Sequence, residues 1–268
     1  MKELFMKKFL ASSLSSLAFV TLLGACGTAD QDSASKITNG KVIQAADYPS
    51  VVLLYDQKLG ALCTGTFINE TTVISAAHCT DSGRVDAVGN VTGSLLLINV
   101  NSSGEAELVA TSTSMVRNIK WDQAGKNVNQ YDLSLITFPV GTAKAVSQLA
   151  SVTPKRGASF TIVGFGLNQS KNLNDGSSAG IKRTGTNVVS SISGGFIQFT
   201  GQSTTTTANG TNSSASAGDS GGPLFVDGKL AGITSGGGQA GIFSSNTQSL
   251  YVDINSSSSK AFLSKFLK

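Results

Sequence analysis

Apolar and polar positions in this chain group into short runs rather than helical periods. Tyr48 to Tyr55, Cys63 to Asn69, Thr72 to Ala77, Leu95 to Val100, Glu107 to Ser112 and Asp132 to Phe138 are rich in β-branched and apolar residues. A second series lies near Ser159 to Gly166, Thr186 to Ser191, Phe196 to Thr200, Pro223 to Val226, Lys229 to Ser235 and Leu250 to Ile254. Runs of this length, bounded by Gly, Asn, Ser and Asp, predict strands and an all-β protein. Roughly Pro139 to Val152 reads as the linker between the two series. Asn118 to Gln130 reads as a long connection carrying the only Trp, Trp121. Asn168 to Gly180 and Ser203 to Ser216 read as low-complexity surface loops. In the tail Ser257 to Lys268, Ala261, Phe262, Phe266 and Leu267 recur at near-helical spacing behind serines that suit a cap, which predicts a C-terminal helix.

The first 36 residues have a different pattern. A basic head from Met1 to Lys8 leads into an apolar run, Phe9 to Leu23, too short to span a bilayer comfortably. Leu23-Gly24-Ala25-Cys26 follows, and the whole reads as a secretory signal over 1–26. Its ending resembles a bacterial lipoprotein signal, in which Cys26 would carry the lipid; an ordinary signal peptide and an unmodified Cys are the alternatives. Either way the chain is expected to be exported, lipid-anchored in the envelope or secreted after cleavage. Residues 27–36 are polar and lack aromatics, as expected of a disordered linker or propeptide.

Composition narrows the function. The chain has 268 residues, 40% hydrophobic and 13% charged, enough for one large domain or two small ones. The net charge of +4 gives no basis for a nucleic-acid surface, since Lys2, Lys7 and Lys8 supply much of it. One His and three Cys offer no metal-ligand spacing, and no phosphate-binding motif appears, so no cofactor is expected.

The candidate chemistry centres on Ala217-Gly218-Asp219-Ser220-Gly221-Gly222-Pro223. Glycines flanking Ser220 allow a turn that exposes its hydroxyl while neighbouring N–H groups converge, which suits acyl transfer. A serine hydroxyl needs a base, and His78 is the only histidine. Asp132, leading the run Leu133 to Phe138, is placed to orient an imidazole. Singly these are a Gly-rich loop, a structural His and a strand-leading Asp; together, in the order His, Asp, Ser, they are far more specific.

The segments Ser75-Ala76-Ala77-His78-Cys79, Asp132-Leu133-Ser134-Leu135 and Gly218-Asp219-Ser220-Gly221-Gly222-Pro223 resemble those of the trypsin/chymotrypsin-like serine peptidases, and the resemblance runs from Ile37 to the C-terminus. It implies two six-stranded antiparallel β-barrels, 37–145 and 146–268, with the C-terminal helix on the second. It also implies a serine endopeptidase with Ser220 as nucleophile, His78 as base, Asp132 as orienting carboxylate, and the N–H groups of Gly218 and Ser220 as the oxyanion hole. Protein or peptide substrates, an activating protease and a monomeric state follow from the same likeness.

Further expectations rest on this resemblance. A Cys63–Cys79 disulfide matches the family's bridge beside the catalytic His and suits an exported chain. Lys36-Ile37-Thr38-Asn39 stands where family zymogens are cut, although two of its positions depart from the usual Ile-Val-Gly-Gly start; a new Ile37 ammonium would pair with Asp219. The pocket floor falls six positions before the nucleophile, at Ser214, where a trypsin-like specificity would need Asp. Ser235 and Gly237 align with the strand that pairs with substrate, and Ser249 with the pocket wall. An uncharged, apolar residue before the scissile bond is expected, because a neutral floor does not offset the burial of Lys or Arg. The competing readings are a catalytically inactive relative used as a surface-anchored binding protein and a β-sandwich lipoprotein whose motif is coincidental.

Overall fold

The structure is a computed structural model and describes residues 37–101, 105–168, 178–239 and 246–267. The signal, Cys26 and Lys36 lie outside the described residues. The chain forms two curled antiparallel sheets. The first contains β2 (Val51–Asp56), β3 (Ala61–Phe67), β4 (Thr72–Ser75), β5 (Leu96–Val100), β6 (Ala106–Thr111), β7 (Ser114–Arg117) and β8 (Ser134–Thr137), in the order β6-β5-β2-β3-β4-β8-β7. The second contains β1 (Lys41–Val42), β9 (Ser159–Gly164), β10 (Arg183–Val188), β11 (Ser191–Ser193), β12 (Phe196–Gln202), β13 (Pro223–Val226), β14 (Lys229–Gln239) and β15 (Asn246–Asp253), in the order β1-β10-β9-β13-β14-β15-β12-β11. Two helices complete the described fold, α1 (Ile119–Gln123) and α2 (Ser257–Phe266).

Local sequence accounts for most of these elements. Asp227-Gly228, both at positive φ, turns β13 back into β14, the backbone that a two-residue hairpin requires. Ser256 caps α2 by accepting the Ser259 N–H, and the helix then buries Phe262 and Leu263. Those two rings and branches join Val51, Ile74, Leu133 and Leu135 of the first half to Val163, Phe225, Leu230 and Val252 of the second in one apolar cluster. The seam between the sheets is thus a hydrophobic core, which fixes their relative position.

The strand count exceeds six per half. α1 arises inside Asn118 to Gln130, where a long connection was expected, and buries Trp121; β7, just before it, lies outside the expected strand runs and pairs with β8. In the second half the expected run Thr186 to Ser191 is displaced: β10 starts at Arg183 and ends at Val188, and Ser191–Ser193 is a separate hairpin strand. Arg183 is fully buried, and a charged residue at the head of a strand hides its start from a hydrophobic pattern. β1, although it precedes the first sheet in sequence, pairs with β10 of the second.

Candidate active site

β4 ends at Ser75, and the chain then winds into a 3-10 turn, Ala77–Thr80, which carries His78. Asp132, 1% exposed, lies just before β8, the strand that pairs with β4. The pairing brings the two residues together. Asp132 Oδ1 accepts the His78 backbone N–H at 2.9 Å, and Oδ2 lies 2.7 Å from His78 Nδ1. Ser235 Oγ donates to the same Oδ2 at 2.6 Å. A carboxylate held this way fixes the imidazole so that Nε2 is the nitrogen left for chemistry. The His78 side chain keeps 31% of its surface exposed.

The turn is braced from two sides. A disulfide joins Cys63 on β3 to Cys79 inside the turn. Arg117, on β7, donates to Thr80 O at 2.8 Å and reaches Asp122 with Nε and Nη2 at 2.9 and 2.6 Å. Its guanidinium also stacks over Trp121 of α1. Of the described residues, Cys63, His78 and Cys79 bring metal-type donor atoms together, but the two sulfurs are bonded to each other and offer no thiolate.

Ser220 comes from the second half, and the first half clasps its turn. Thr64 N–H donates to Ser220 O at 2.7 Å, and Thr64 Oγ1 donates to Gly218 O at 2.9 Å. Gly221 has φ +77°, and a Cβ there would lie 2.0 Å from Ser75 Oγ and 2.4 Å from Thr64 O. No other residue fits that position. Within the turn Asp219 N–H donates to Ser216 O, Gly221 N–H to Thr234 O and Gly222 N–H to Asp219 O. The N–H groups of Gly218 and Ser220 donate to no acceptor among the described residues. His78 and Ser220 line one cavity of about 190 Å³ with Leu54, Leu95 and the disulfide. Among the described residues no hydrogen bond joins the His78 and Ser220 side chains.

Asp219 points inward, 2% exposed, accepting the N–H groups of Gly166 and Ser216 at 2.9 and 2.8 Å. Burial pushes its carboxyl up to about 7, against the pull of those two N–H groups and of Arg183. Ile37 is buried among Phe160, Ile162 and Phe199. Thr38 bridges to Ser214, and Asn39 Oδ1 accepts from the N–H groups of Thr206, Thr207 and Ala208. Ser214 and Ser249, the expected floor and wall, are both fully buried. The Ser214 hydroxyl donates to Gln202 O, and the Ser249 hydroxyl accepts the Ala215 N–H. Gly237 pairs with Ser249 on the β14–β15 ladder. A Cβ at Gly236 would meet Val128 Cγ2 at 2.7 Å, so Val128 packs over that position.

Sequence reasoning missed Thr64, Arg117 and the bond from Ser235 to Asp132. Arg117 carried a signal, as a charge ending the apolar pair Met115-Val116; Thr64 carried none, since its role depends on the meeting of two sheets.

The family model described as Trypsin matches residues 37–260. Trypsin delta of Drosophila melanogaster is 30% identical over 236 residues, covering 82% of this chain and 84% of that protein. Snake venom serine protease CL2 of Trimeresurus stejnegeri is 27% identical, covering 76% of this chain and 78% of its own. Among solved structures, mouse neuropsin, a serine protease, superposes with a TM-score of 0.61 at 20% identity, covering 85% of this chain and 99% of its own.

Proposed function

This chain belongs to the trypsin family of serine endopeptidases, hydrolases with the double β-barrel fold, and on that premise we propose that it cleaves peptide bonds through Ser220, His78 and Asp132. Ser220 Oγ attacks the peptide carbonyl while His78 Nε2 takes its proton. The tetrahedral oxyanion is held by the N–H groups of Gly218 and Ser220, each such donor typically contributing about 3 kcal/mol. His78 then returns the proton to the leaving amine. Water repeats the sequence on the acyl-enzyme and releases the acid. Asp132 holds the imidazole tautomer and stabilises the imidazolium.

The observation that carries this reading is the double contact of Asp132 with His78, at 2.7 and 2.9 Å, beside a cavity that His78 shares with Ser220. Specificity for an uncharged residue before the scissile bond is supported by the neutral Ser214, whose hydroxyl is already engaged. Activation by a cut between Lys36 and Ile37 is supported by the burial of Ile37 and by its bridge-forming neighbour Thr38. The freed ammonium would face Asp219, so the cut form should lose activity as rising pH removes that charge. A signal over 1–26, with Cys26 lipidated in a bacterial envelope, completes the proposal, and the cut would release the enzyme from that anchor.

The test is a peptide-library cleavage profile on purified protein and on Ser220→Ala. The reading expects cleavage after apolar residues by the parent and a fall of at least about 10⁴-fold in kcat for the variant. Wild-type turnover by Ser220→Ala contradicts it.

A further inference from the structure

Arg183 stands directly across the β9–β10 ladder from Gly164. Residues paired in this way project to the same face of the sheet. On that face lies the Asp219 carboxylate, since a Cβ on Gly164 would come within 2.2 Å of Asp219 Oδ1. Arg183 is fully buried; its Nη1 donates to Ile181 O, while Nε and Nη2 have no hydrogen-bond partner. Asp219 accepts only backbone N–H groups, so the two charges lie close without touching. Burial weakens the hold of Arg183 on its proton, and the Asp219 charge opposes that. The other ionisable side chain facing Asp219 is Tyr251 of β15, whose phenol is pushed up by burial and by Asp219.

An ionised guanidinium without full pairing is costly to bury, and the fold has no visible structural use for the two idle nitrogens. What they do offer is positive charge behind the carboxylate on which the oxyanion turn is built. We propose that Arg183 supplies the charge that holds Asp219 inward while the chain before Ile37 is still uncut, so that the precursor already hydrolyses peptide bonds. The freed Ile37 ammonium then adds to a turn that is formed, rather than creating it. Arg183 is a positioning residue in this account, which rests on the assignment of Ser220 and its flanking N–H groups made above.

The experiment compares full-length protein in two forms. One carries Lys36→Gln and stays uncut; the other is cut after Lys36 with trypsin, and N-terminal sequencing verifies both. Each is made with Arg183, Arg183→Met and Arg183→Lys, and turnover of a small uncharged ester is measured. Uncut protein with Arg183 is expected within about tenfold of the cut form in kcat. Arg183→Met is expected to lower the uncut form at least 100-fold while changing the cut form less than threefold, and Arg183→Lys to restore the uncut form. An inert uncut protein beside an active cut one overturns the inference and leaves the peptidase reading standing. Equal losses in both forms with Arg183→Met also overturn it, because they report a structural role. Inactivity of the cut parent defeats the peptidase reading and the inference with it.

Discussion

Two arginines are buried to the same degree in the two halves of this protein, and their surroundings are opposite. Arg117, 1% exposed, gives every arm of its guanidinium to a partner: Asp122 takes two bonds and Thr80 O a third. Arg183, 0% exposed, leaves Nε and Nη2 idle and stops short of Asp219. The first arginine braces the turn that carries His78. The second lies behind the turn that carries Ser220. The half that holds His78 is closed by complete pairing, whereas the half that holds Ser220 keeps an unsettled pair of charges. A buried charge left incomplete costs stability, and such costs persist where function needs an adjustable element.

The contrast is broken most forcefully at Arg117. Arg117→Met leaves Asp122 with Lys126 at 3.7 Å in place of two close bonds and frees Thr80 O, and is expected to lower stability by about 3–5 kcal/mol and to reduce turnover by loosening the His78 turn. Urea unfolding measures the first effect. A neutral result would mean that full pairing counts for little in this half. Arg183→Met should cost less, because the Arg183 and Asp219 side chains do not touch, although it leaves the buried Asp219 without its compensating charge. Thermal unfolding of the uncut protein tests it, and a loss as large as that at Arg117 would erase the comparison.

The pH dependence sharpens the same point. Asp219 is pushed from the ordinary 3.8 up to about 7, so the native state keeps its proton where the unfolded chain has lost it. Its contribution to stability is therefore present in acid and is lost as pH rises towards about 7. The difference in Tm between the uncut parent and Asp219→Asn should fall between pH 4 and 7 and then level off; a difference that rises over this range would reverse the sign. The smallest effect is expected at Ser235, whose hydroxyl is one of three donors to Asp132. Ser235→Ala should lower kcat several-fold and leave KM nearly unchanged; an effect on KM alone would place Ser235 with substrate binding instead.

The two halves also differ in how far their residues could be read without a structure. His78, Asp132 and Ser220 stand in short motifs, and the strand runs around the first two are strongly apolar, so both strands were legible, although their pairing was not. The hairpin at Asp227-Gly228 and the capped C-terminal helix were legible for local reasons, because turn and cap chemistry is written in adjacent residues. β7 and α1 were not, since a four-residue strand and a five-residue helix carry too little periodicity to stand out from a polar connection. Arg183 was the hardest to read. A polar residue at a strand start looks like a loop, and its burial beside Asp219 depends on glycine at 164, nineteen positions earlier on the neighbouring strand. Ser214 was readable as neutral, but its engagement with Gln202 depends on a contact that spacing does not reveal.

The central claim is that Ser220 is a nucleophile made reactive by His78. The direct measurement is mass-spectrometric mapping of a fluorophosphonate adduct on the cut parent and on His78→Ala. The account predicts a single adduct on the peptide containing Ser220 in the parent and none in the variant. An adduct on a different serine, or equal labelling of Ser220 without His78, would contradict it.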